Sequence, residues 1–416
     1  MPARHFPVRP NLDQLKHQAK ELLREVRRGD AEAVATVRAH HPKPPAVEET
    51  KLAHAQHALA RSYGLASWPR LVLACRITDA ICRDDADTVR DLVARRPELL
   101  SESARGVPGC NWGPPMSYAA NLGRGRIVAM LRELGAADLQ FAFDRACLQG
   151  QLDTARQLHA LGARPVPGSV MGPAETQNAH GLALQLELGA TIGDEHGHRL
   201  APVAMLLETY TRNPAGKHGC LEIFEGHGIA LPRTAPMAVH RGRVDLLDEL
   251  LRNDPSLLDR TFTHAEIYPP ELGCNADETL ALHGTPIAGG TLLHLCVDYG
   301  ELAIARWLLE RGADVDARAS VDADGFGGHT ALFGCAVSQP YRCSLPIAVD
   351  LATLLLDRGA DPNARASLRK ALRFVADETL HEYRDVTPLA WGKRFHDQDW
   401  VDPAVLALLT ARGERE

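Results

Sequence analysis

The sequence predicts an all-α protein, a solenoid of stacked helix-turn-helix units with a helical cap at its N-terminal end. Short segments carry apolar residues at roughly helical spacing and end at a glycine, which can enter the left-handed conformation that closes a helix. The triplet Leu-Gly-Ala starts at residues 134, 161 and 188, a constant spacing of 27 residues. Self-similarity at a fixed period is the signature of repeat architectures. No Val/Ile-rich alternating run predicts a sheet.

The first 76 residues are expected to form a helical leader. Apolar side chains keep helical spacing, Gly29 interrupts the pattern, and the prolines at 42, 44 and 45 predict a loop because they cannot propagate a helix. Such a leader can serve as the polar-faced cap that the open end of a solenoid needs. Helices are predicted over residues 12–26, 31–39, 51–63 and 70–75.

Helix pairs are predicted from residue 77 onward. Residues 77–258 form irregular units with short loops, and residues 259–416 form units with long loop insertions at 259–287 and 366–385. The least regular unit precedes Gly189, because residues 175–178 are polar where small apolar side chains would pack. Further helices are expected over 80–95, 127–134, 143–148, 154–161, 201–208, 220–225, 328–337, 350–365 and 403–410.

The most regular unit spans residues 290–318. Thr291 is placed to cap a first helix that ends at Gly300, and a second apolar helix ends at Gly312. The motif Thr-Leu-Leu-His at 291–294, with Leu308-Leu309 and Gly-Ala-Asp at 312–314, resembles the ankyrin repeat, whose usual opening is Thr-Pro-Leu-His. Leu292 replaces the usual proline.

This resemblance extends over roughly residues 77–413, and the leader resembles the helical segment that precedes ankyrin repeats in many bacterial proteins. It implies inner helices stacked along a concave face, with hairpin turns at one edge. It also implies a scaffold for protein–protein interaction. His294 occupies the capping-histidine position of the family, for which a structural role is implied.

Composition excludes several classes of protein. Among 416 residues, 46 Lys and Arg stand against 53 Asp and Glu, a net charge of −7, which argues against bulk electrostatic binding of nucleic acid. Nine scattered cysteines without a Cys-x-x-Cys pair fit free thiols in a reducing compartment. No secretory leader and no apolar run of ~20 residues is present, so we expect a cytoplasmic protein without a membrane span.

Motifs for catalysis, metals and cofactors were not found. The pairs His54/His57 and His196/His198 are more simply explained as surface or turn histidines. His381-Glu382 fails the zinc-hydrolase helix pattern because position 385 is Asp. Phosphate loops, dinucleotide fingerprints and the nucleophile elbow are absent from the sequence. We therefore expect no metal, no cofactor and no catalytic residue.

Binding residues follow from the resemblance, which implies contacts in the hairpins and at the ends of the inner helices. Phe326 and Tyr299 are singled out as possible exposed aromatic anchors, with burial against a neighbouring hairpin as the alternative. The candidate set is Trp112, Tyr118, Asn121, Gln149, His240, Arg241, Asp298, Tyr299, Phe326, His329 and Tyr341.

Three functions are compared at this point. The first is a scaffold for a protein or peptide partner, with an oligomeric state that the sequence does not define. The second is an enzyme, and the third an enzyme accessory protein, using a pocket between the groove and the two inserts. The residues that would line such a pocket are His264, Glu266, Tyr268, His283, Glu378, His381 and Glu382.

Overall fold

The computed structural model describes residues 6–107, 111–277, 283–375 and 377–413. The chain divides into two compact units, Met1–Pro165 (unit 1) and Val166–Glu416 (unit 2). Cys110 and part of the predicted first insert, residues 278–282, lie outside the described residues.

Unit 1 begins with the predicted leader helices. Asn11 caps the first helix, its side-chain oxygen accepting the backbone N–H groups of Asp13 and Gln14. The predicted end of the fourth helix at Cys75 is wrong: one helix continues to Cys82, because buried apolar residues recur on both sides of residue 76. The helices of unit 1 are α1 Leu12–Arg27, α2 Ala31–His40, α3 Leu52–Ser62, α4 Trp68–Cys82, α5 Ala86–Arg95, α6 Pro115–Asn121, α7 Gly125–Glu133, α8 Leu139–Leu148 and α9 Leu152–Ala160.

The repeats of unit 1 stack in two rows. The inner helix α6 packs between α4 and α8, and the outer helix α7 packs between α5 and α9. The small pair Ala119-Ala120 is fully buried, which lets the inner helices approach closely. Gly135 and Gly162, the glycines of the first two Leu-Gly-Ala triplets, have φ of +100° and +111°, so each ends its outer helix in the left-handed region.

Unit 2 continues the helical hairpins. Its helices are α10 Met171–Glu175, α11 Ala179–Glu187, α12 Ala201–Glu208, α13 Pro214–Gly226, α14 Ala235–His240, α15 Val244–Asn253, α16 His264–Ile267, α17 Leu292–Tyr299, α18 Leu302–Glu310, α19 Ala331–Ala336, α20 Gln339–Arg342, α21 Ala348–Asp357, α22 Pro388–Arg394 and α23 Pro403–Ala411. Helices α14, α17, α19 and α22 pack in an inner row, and α18, α21 and α23 in an outer row. The predicted all-α repeat architecture is confirmed.

The predicted unit at 290–318 forms as expected. Gly300 closes α17 with a φ of +73°. His294 Nδ1 accepts the backbone N–H of Thr291 at 3.1 Å, and its Nε2 donates to the carbonyl of His329 at 3.0 Å. His294 therefore has the structural role that the sequence predicts.

The second insert contains a short sheet, which the sequence did not predict. Strand β1 Ala366–Lys370 pairs antiparallel with β2 His381–Val386, and Leu368 lies opposite Tyr383. Buried and exposed residues alternate only weakly along β1 and β2, so the period-2 signal in the sequence is faint. The first insert holds the short helix α16 and a single 3₁₀ turn at Pro270–Leu272 within its described residues.

In the described part of the chain, no helix combines the length and apolarity that a bilayer crossing requires.

Candidate functional site

A buried ion pair lies at the centre of unit 2. Arg212 follows α12, and its Nη2 donates to Asp298 Oδ2 on α17 at 2.7 Å, while its Nε donates to the Asp298 carbonyl at 2.9 Å. Both side chains are at most 5 % exposed. Burial raises the pKa of the Asp298 carboxyl, and the adjacent guanidinium opposes that rise. This pair ties the segment after α12 to the end of α17.

Aromatic side chains surround the ion pair. The Arg212 guanidinium lies 4.7 Å from the centre of the Tyr299 ring, and the Tyr299 hydroxyl is 2.5 Å from that of Tyr268 in the first insert. His240 packs edge-on against Tyr299, with ring centres 4.7 Å apart, and its Nε2 donates to the Ile267 carbonyl at 3.0 Å. Burial lowers the pKa of His240 well below its ordinary value, so this imidazole is neutral. The first insert is thereby anchored on α14 and α17.

A second buried cation extends the network. Lys217 Nζ lies 3.8 Å from the centre of the Tyr299 ring and 3.4 Å from Glu301 Oε1. His218 Nε2 contacts the same carboxylate oxygen at 2.8 Å. Burial lowers the pKa of Lys217 to about 8. Segment 212–218 is thus held against residues 298–301 by both of its cations.

An apolar groove lies above this network, between helices α10 and α12 and the insertions that overhang them. We call it the covered groove; its volume is about 940 Å³. Both inserts and α20 contribute to it. Helices α10 and α12 and the turn after α12 contribute Met171, Glu175, Ala201, Ala204, Met205, Glu208, Thr209, Tyr210 and Thr211 to its lining. The two inserts contribute Gly273, Asn275, Arg373, Phe374 and Val375, and the remaining lining residues are Gln339, Arg342, Cys343 and Trp400.

The turn that carries Tyr210 is fixed from both sides. Arg212 Nη1 donates to the carbonyls of Thr209 and Thr211 at 2.7 and 3.0 Å. The Tyr210 carbonyl accepts Gln339 Nε2 at 2.5 Å and the Cys343 thiol at 2.8 Å. Tyr210 nonetheless remains 51 % exposed, so a rigid turn presents an accessible aromatic side chain.

Phe374 is the most exposed large apolar residue described, at 82 %. Its backbone has a φ of +61°, a conformation that non-glycine residues adopt at a cost of order 1–3 kcal/mol. The Phe374 N–H donates to Glu378 Oε1 at 2.7 Å, which holds this turn of the second insert. A strained, exposed phenylalanine at an apolar groove is a typical feature of a binding site.

The two inserts also meet at a second cavity of about 640 Å³, which we call the insert pocket. His264 and His283 of the first insert line it, together with Phe326, His329 and strand β1. His283 Nδ1 lies 4.0 Å from Asp298 Oδ2, too far for a hydrogen bond. Burial lowers the pKa of His283 well below its ordinary value. The His283 imidazole at the insert pocket is therefore neutral.

Phe326 and Tyr299 are both buried, which is the alternative to exposed aromatic anchors. Phe326 is buried beneath the guanidinium groups of Arg369 and Arg384, at 4.9 and 4.3 Å from its ring centre, and Tyr299 is buried in the network described above. Tyr118 is likewise buried, packed on Trp112 and donating to the Val8 carbonyl at 2.9 Å. Each ring has a neighbour from an adjacent segment that covers it.

The polar candidates are mostly structural. Asn121 accepts Arg145 Nε at 2.9 Å, and Arg241 pairs with Glu222 and Glu225. His240, Asp298 and His329 are also buried, whereas Gln149 and Tyr341 are exposed and Trp112 is half-buried. A role for any of these residues in binding stays a prediction.

The residues of the alternative pocket converge only in part. Glu266 pairs with Arg260 and caps α16 through Thr263. Glu378 holds the Phe374 turn, and Glu382 pairs with Arg384 at 3.2 Å. His264 and His283 line the insert pocket, and the buried Tyr268 ring packs against both, with ring centres 5.0 and 6.2 Å apart.

His381 resembles a catalytic dyad without having its geometry. Its Nε2 contacts both Asp377 Oδ2 at 2.9 Å and Thr379 Oγ1 at 3.0 Å. In a nucleophile–base–acid arrangement the hydroxyl and the carboxylate bind opposite ring nitrogens. These contacts instead stabilise a local turn before β2. Across the described ranges, no three His, Cys, Asp or Glu side chains are grouped to hold a metal ion.

The groove residues Tyr210, Met205 and Phe374 were not singled out from the sequence. The adjacent apolar pair Phe374-Val375 within a polar insert is a signal that could have indicated Phe374 as a binding residue. Tyr210 gives no such signal, because its turn is fixed in part by Gln339, which is 129 residues away in sequence.

The chain was compared with known proteins. The family model described as "Ankyrin repeat" matches residues 288–320, which contain α17 and α18. No curated protein matches the chain. Among solved structures, the human ASB11 ankyrin repeat domain is similar, with 18 % identity, a TM-score of 0.25, and coverage of 73 % of this chain and 99 % of that domain. A TM-score this low carries no argument about the arrangement of the whole chain.

Proposed function

We propose that this ankyrin-repeat protein is a protein-binding module that captures an apolar segment of its partner in the covered groove. Ankyrin repeats are generally modules for protein–protein interaction. Repeat proteins offer extended binding surfaces, and insertions within repeats map to loops that often form the binding face. The proposal applies that general role to a specific surface.

The observation that carries the proposal is the exposure of three large apolar side chains in one groove. Phe374, Tyr210 and Met205 are 82, 51 and 36 % exposed, yet all three line the covered groove. Interface anchors are typically aromatic side chains in pockets that exclude water. The turn of Tyr210 is held in place by buried bonds, so little ordering entropy is lost on binding.

The volume of the groove limits what it can hold. About 940 Å³ is near the upper end of ordinary ligand pockets, roughly 300–1,000 Å³, and would accept a few side chains of an extended segment. We therefore expect an apolar anchor of a linear peptide to enter the groove, rather than a whole folded domain.

The proposal can be tested with a displayed library of random twelve-residue peptides. Peptides selected on the full chain are measured by fluorescence anisotropy against Tyr210→Ser and Phe374→Ser. Loss of a central aromatic anchor costs more than 1 kcal/mol, so binding should weaken by roughly tenfold or more. Both positions are exposed, so the variants are expected to fold.

The matched control is Val349→Ser on α21, which also removes an exposed apolar side chain (36 %) but lies outside the covered groove. It should bind the selected peptides as the parent does. Equal binding by the parent, both groove variants and the control would refute the covered groove as the binding surface.

A further inference from the structure

We infer that the covered groove recognises an acidic-apolar peptide, in which carboxylate side chains flank the apolar anchor and are bound by Arg342 and Arg373. This inference rests on the proposed function and specifies the chemistry of its partner.

Arginines in unit 2 are generally paired with carboxylates. Arg241 pairs with Glu222 and Glu225, and Arg369 bridges Asp322 and Asp324 at 2.7 and 2.9 Å. Arg365 and Arg412 pair with Asp385 and Asp357 at 2.9 and 2.7 Å. Most arginine side chains of unit 2 therefore have a carboxylate acceptor within the same unit.

Arg342 and Arg373 differ from these arginines. Both are exposed and line the covered groove, Arg342 from α20 and Arg373 from the second insert. Within the described ranges, neither guanidinium has an ion pair or a hydrogen bond. Two cations, one on α20 and one on the second insert, thus border one apolar groove without an acceptor from the described part of the chain.

The carboxylates at the groove do not supply that acceptor. Glu208 accepts the backbone N–H and the side-chain amide of Asn275 at 2.6 and 3.0 Å, and burial raises its pKa. Glu175 is half-buried on α10 and makes no ion pair with either arginine. Neither carboxylate therefore neutralises Arg342 or Arg373, and both guanidinium groups remain available to a partner.

Arg342 is also held on a fixed support. Its helix is anchored by Gln339 to the Tyr210 carbonyl, and Ser338, which caps the helix, donates its backbone N–H to the Trp400 carbonyl at 2.8 Å. A guanidinium on a rigid element binds a carboxylate with less loss of conformational entropy. Because the chain carries a net charge of −7, two copies repel each other at long range, which disfavours a second copy of the same chain as the occupant.

The experiment uses the peptides selected above and two sets of changes. In the protein, the double variant R342Q/R373Q removes both cations, and R306Q on α18 is the matched control, since Arg306 is exposed but does not line the groove. In the peptides, each Asp or Glu is replaced by Asn or Gln. Affinities are measured at low and high NaCl concentration.

We expect the selected peptides to be enriched in Asp and Glu next to an apolar residue. R342Q/R373Q should weaken their binding roughly tenfold at low salt, with R306Q unchanged, because two exposed charge pairs are lost. Amide-substituted peptides should bind the parent about tenfold more weakly and be insensitive to R342Q/R373Q, which a double-mutant cycle detects.

Each other outcome overturns the inference in a recognisable way. Peptides that depend on Tyr210 but lack acidic residues, and bind R342Q/R373Q as tightly as the parent, would refute the acidic preference while leaving the proposed function intact. Peptides indifferent to Tyr210→Ser and Phe374→Ser would refute both. Concentration-dependent dimerisation in light scattering, abolished by Tyr210→Ser, would identify a second copy as the occupant.

Discussion

Arg212 and Asp298 form an ion pair across 86 residues of sequence, with Nη2 and Oδ2 2.7 Å apart and both side chains shielded from solvent. The pair spans from the turn after α12 to the end of α17, passing the intervening hairpin of α14 and α15. Because Arg212 also binds the carbonyls on either side of Tyr210, the same guanidinium that stabilises the core positions the groove.

Replacing one partner of this pair should destabilise unit 2 strongly. Asp298→Leu leaves the Arg212 guanidinium buried without its counter-charge, which typically costs about 3–5 kcal/mol. We expect a matching loss in the free energy of unfolding, measured by urea denaturation. The double variant Arg212→Met/Asp298→Leu removes both charges and should recover much of that loss.

The double variant separates stability from binding. Without Arg212 the carbonyls of Thr209 and Thr211 lose their donor, so the selected peptides should bind more weakly even when the fold is restored. If the double variant is as unstable as Asp298→Leu, the loss does not come from an uncompensated charge.

The start of α13 depends on the glycine at position 216. A Cβ there would lie 1.9 Å from the backbone carbonyl oxygen of Gln177, so the two segments could not keep their present distance. Gly216→Ala should therefore lower the free energy of unfolding by roughly 2 kcal/mol or more. Gly226→Ala, at the other end of the same helix, would meet nothing within 4 Å and should change stability by less than about 1 kcal/mol. Equal effects at the two sites would contradict this explanation.

The stability of helices α17 and α19 should fall in mild acid. Burial lowers the pKa of His294 to about 3 and that of His329 to about 4, below the ordinary value of 6.5. The folded state therefore binds fewer protons than the unfolded state, and the stabilisation that is complete above about pH 6.5 is lost as the pH falls. By pH 5 the loss should be roughly 2 kcal/mol for each histidine.

Hydrogen exchange of the α17 and α19 amides between pH 7 and 5, corrected for intrinsic exchange rates, measures this effect within unit 2. Burial raises the pKa of Asp298 on α17 and, in unit 1, that of Asp144 to about 6, so both carboxyls have the opposite sign of linkage. Opening free energies that stay constant over this range would show that the two imidazoles do not remain neutral in the folded state.

The sequence predicted the helical repeats because their determinants are local. Thr291 and His294 specify the start of α17, and Gly300 its end. The apolar residues between Gly300 and Gly312 specify α18. The hairpin of β1 and β2 was missed because its side chains alternate weakly. The predicted end of helix α4 came too early because a boundary between leader and repeats was expected at residue 76, and the helix continues across it.

The site was harder to predict because exposure depends on distant contacts. Tyr299 lies on an inner helix where a partner could bind, yet Arg212, Lys217 and Tyr268, all from other segments, cover it. Tyr210 stays exposed because a hydrogen bond from Gln339, 129 residues away in sequence, helps to hold its turn at the surface. Neither outcome is encoded in the pattern around the residue itself.

We expect Phe374 to strengthen peptide binding while its strained backbone lowers the stability of the fold. Its φ of +61° is one that glycine adopts without penalty, and at 82 % exposure its side chain contributes little packing. Phe374→Gly should therefore leave the free energy of unfolding unchanged or raise it by up to about 1 kcal/mol, since relief of strain offsets the flexibility that glycine adds to the unfolded chain. The same variant should bind the selected peptides roughly tenfold more weakly.

Phe374→Ala separates the two effects, because it removes the ring but keeps the strained backbone: it should weaken binding equally without any gain in stability. A loss of stability in Phe374→Gly would show that the ring packs in the folded chain and is not reserved for a partner.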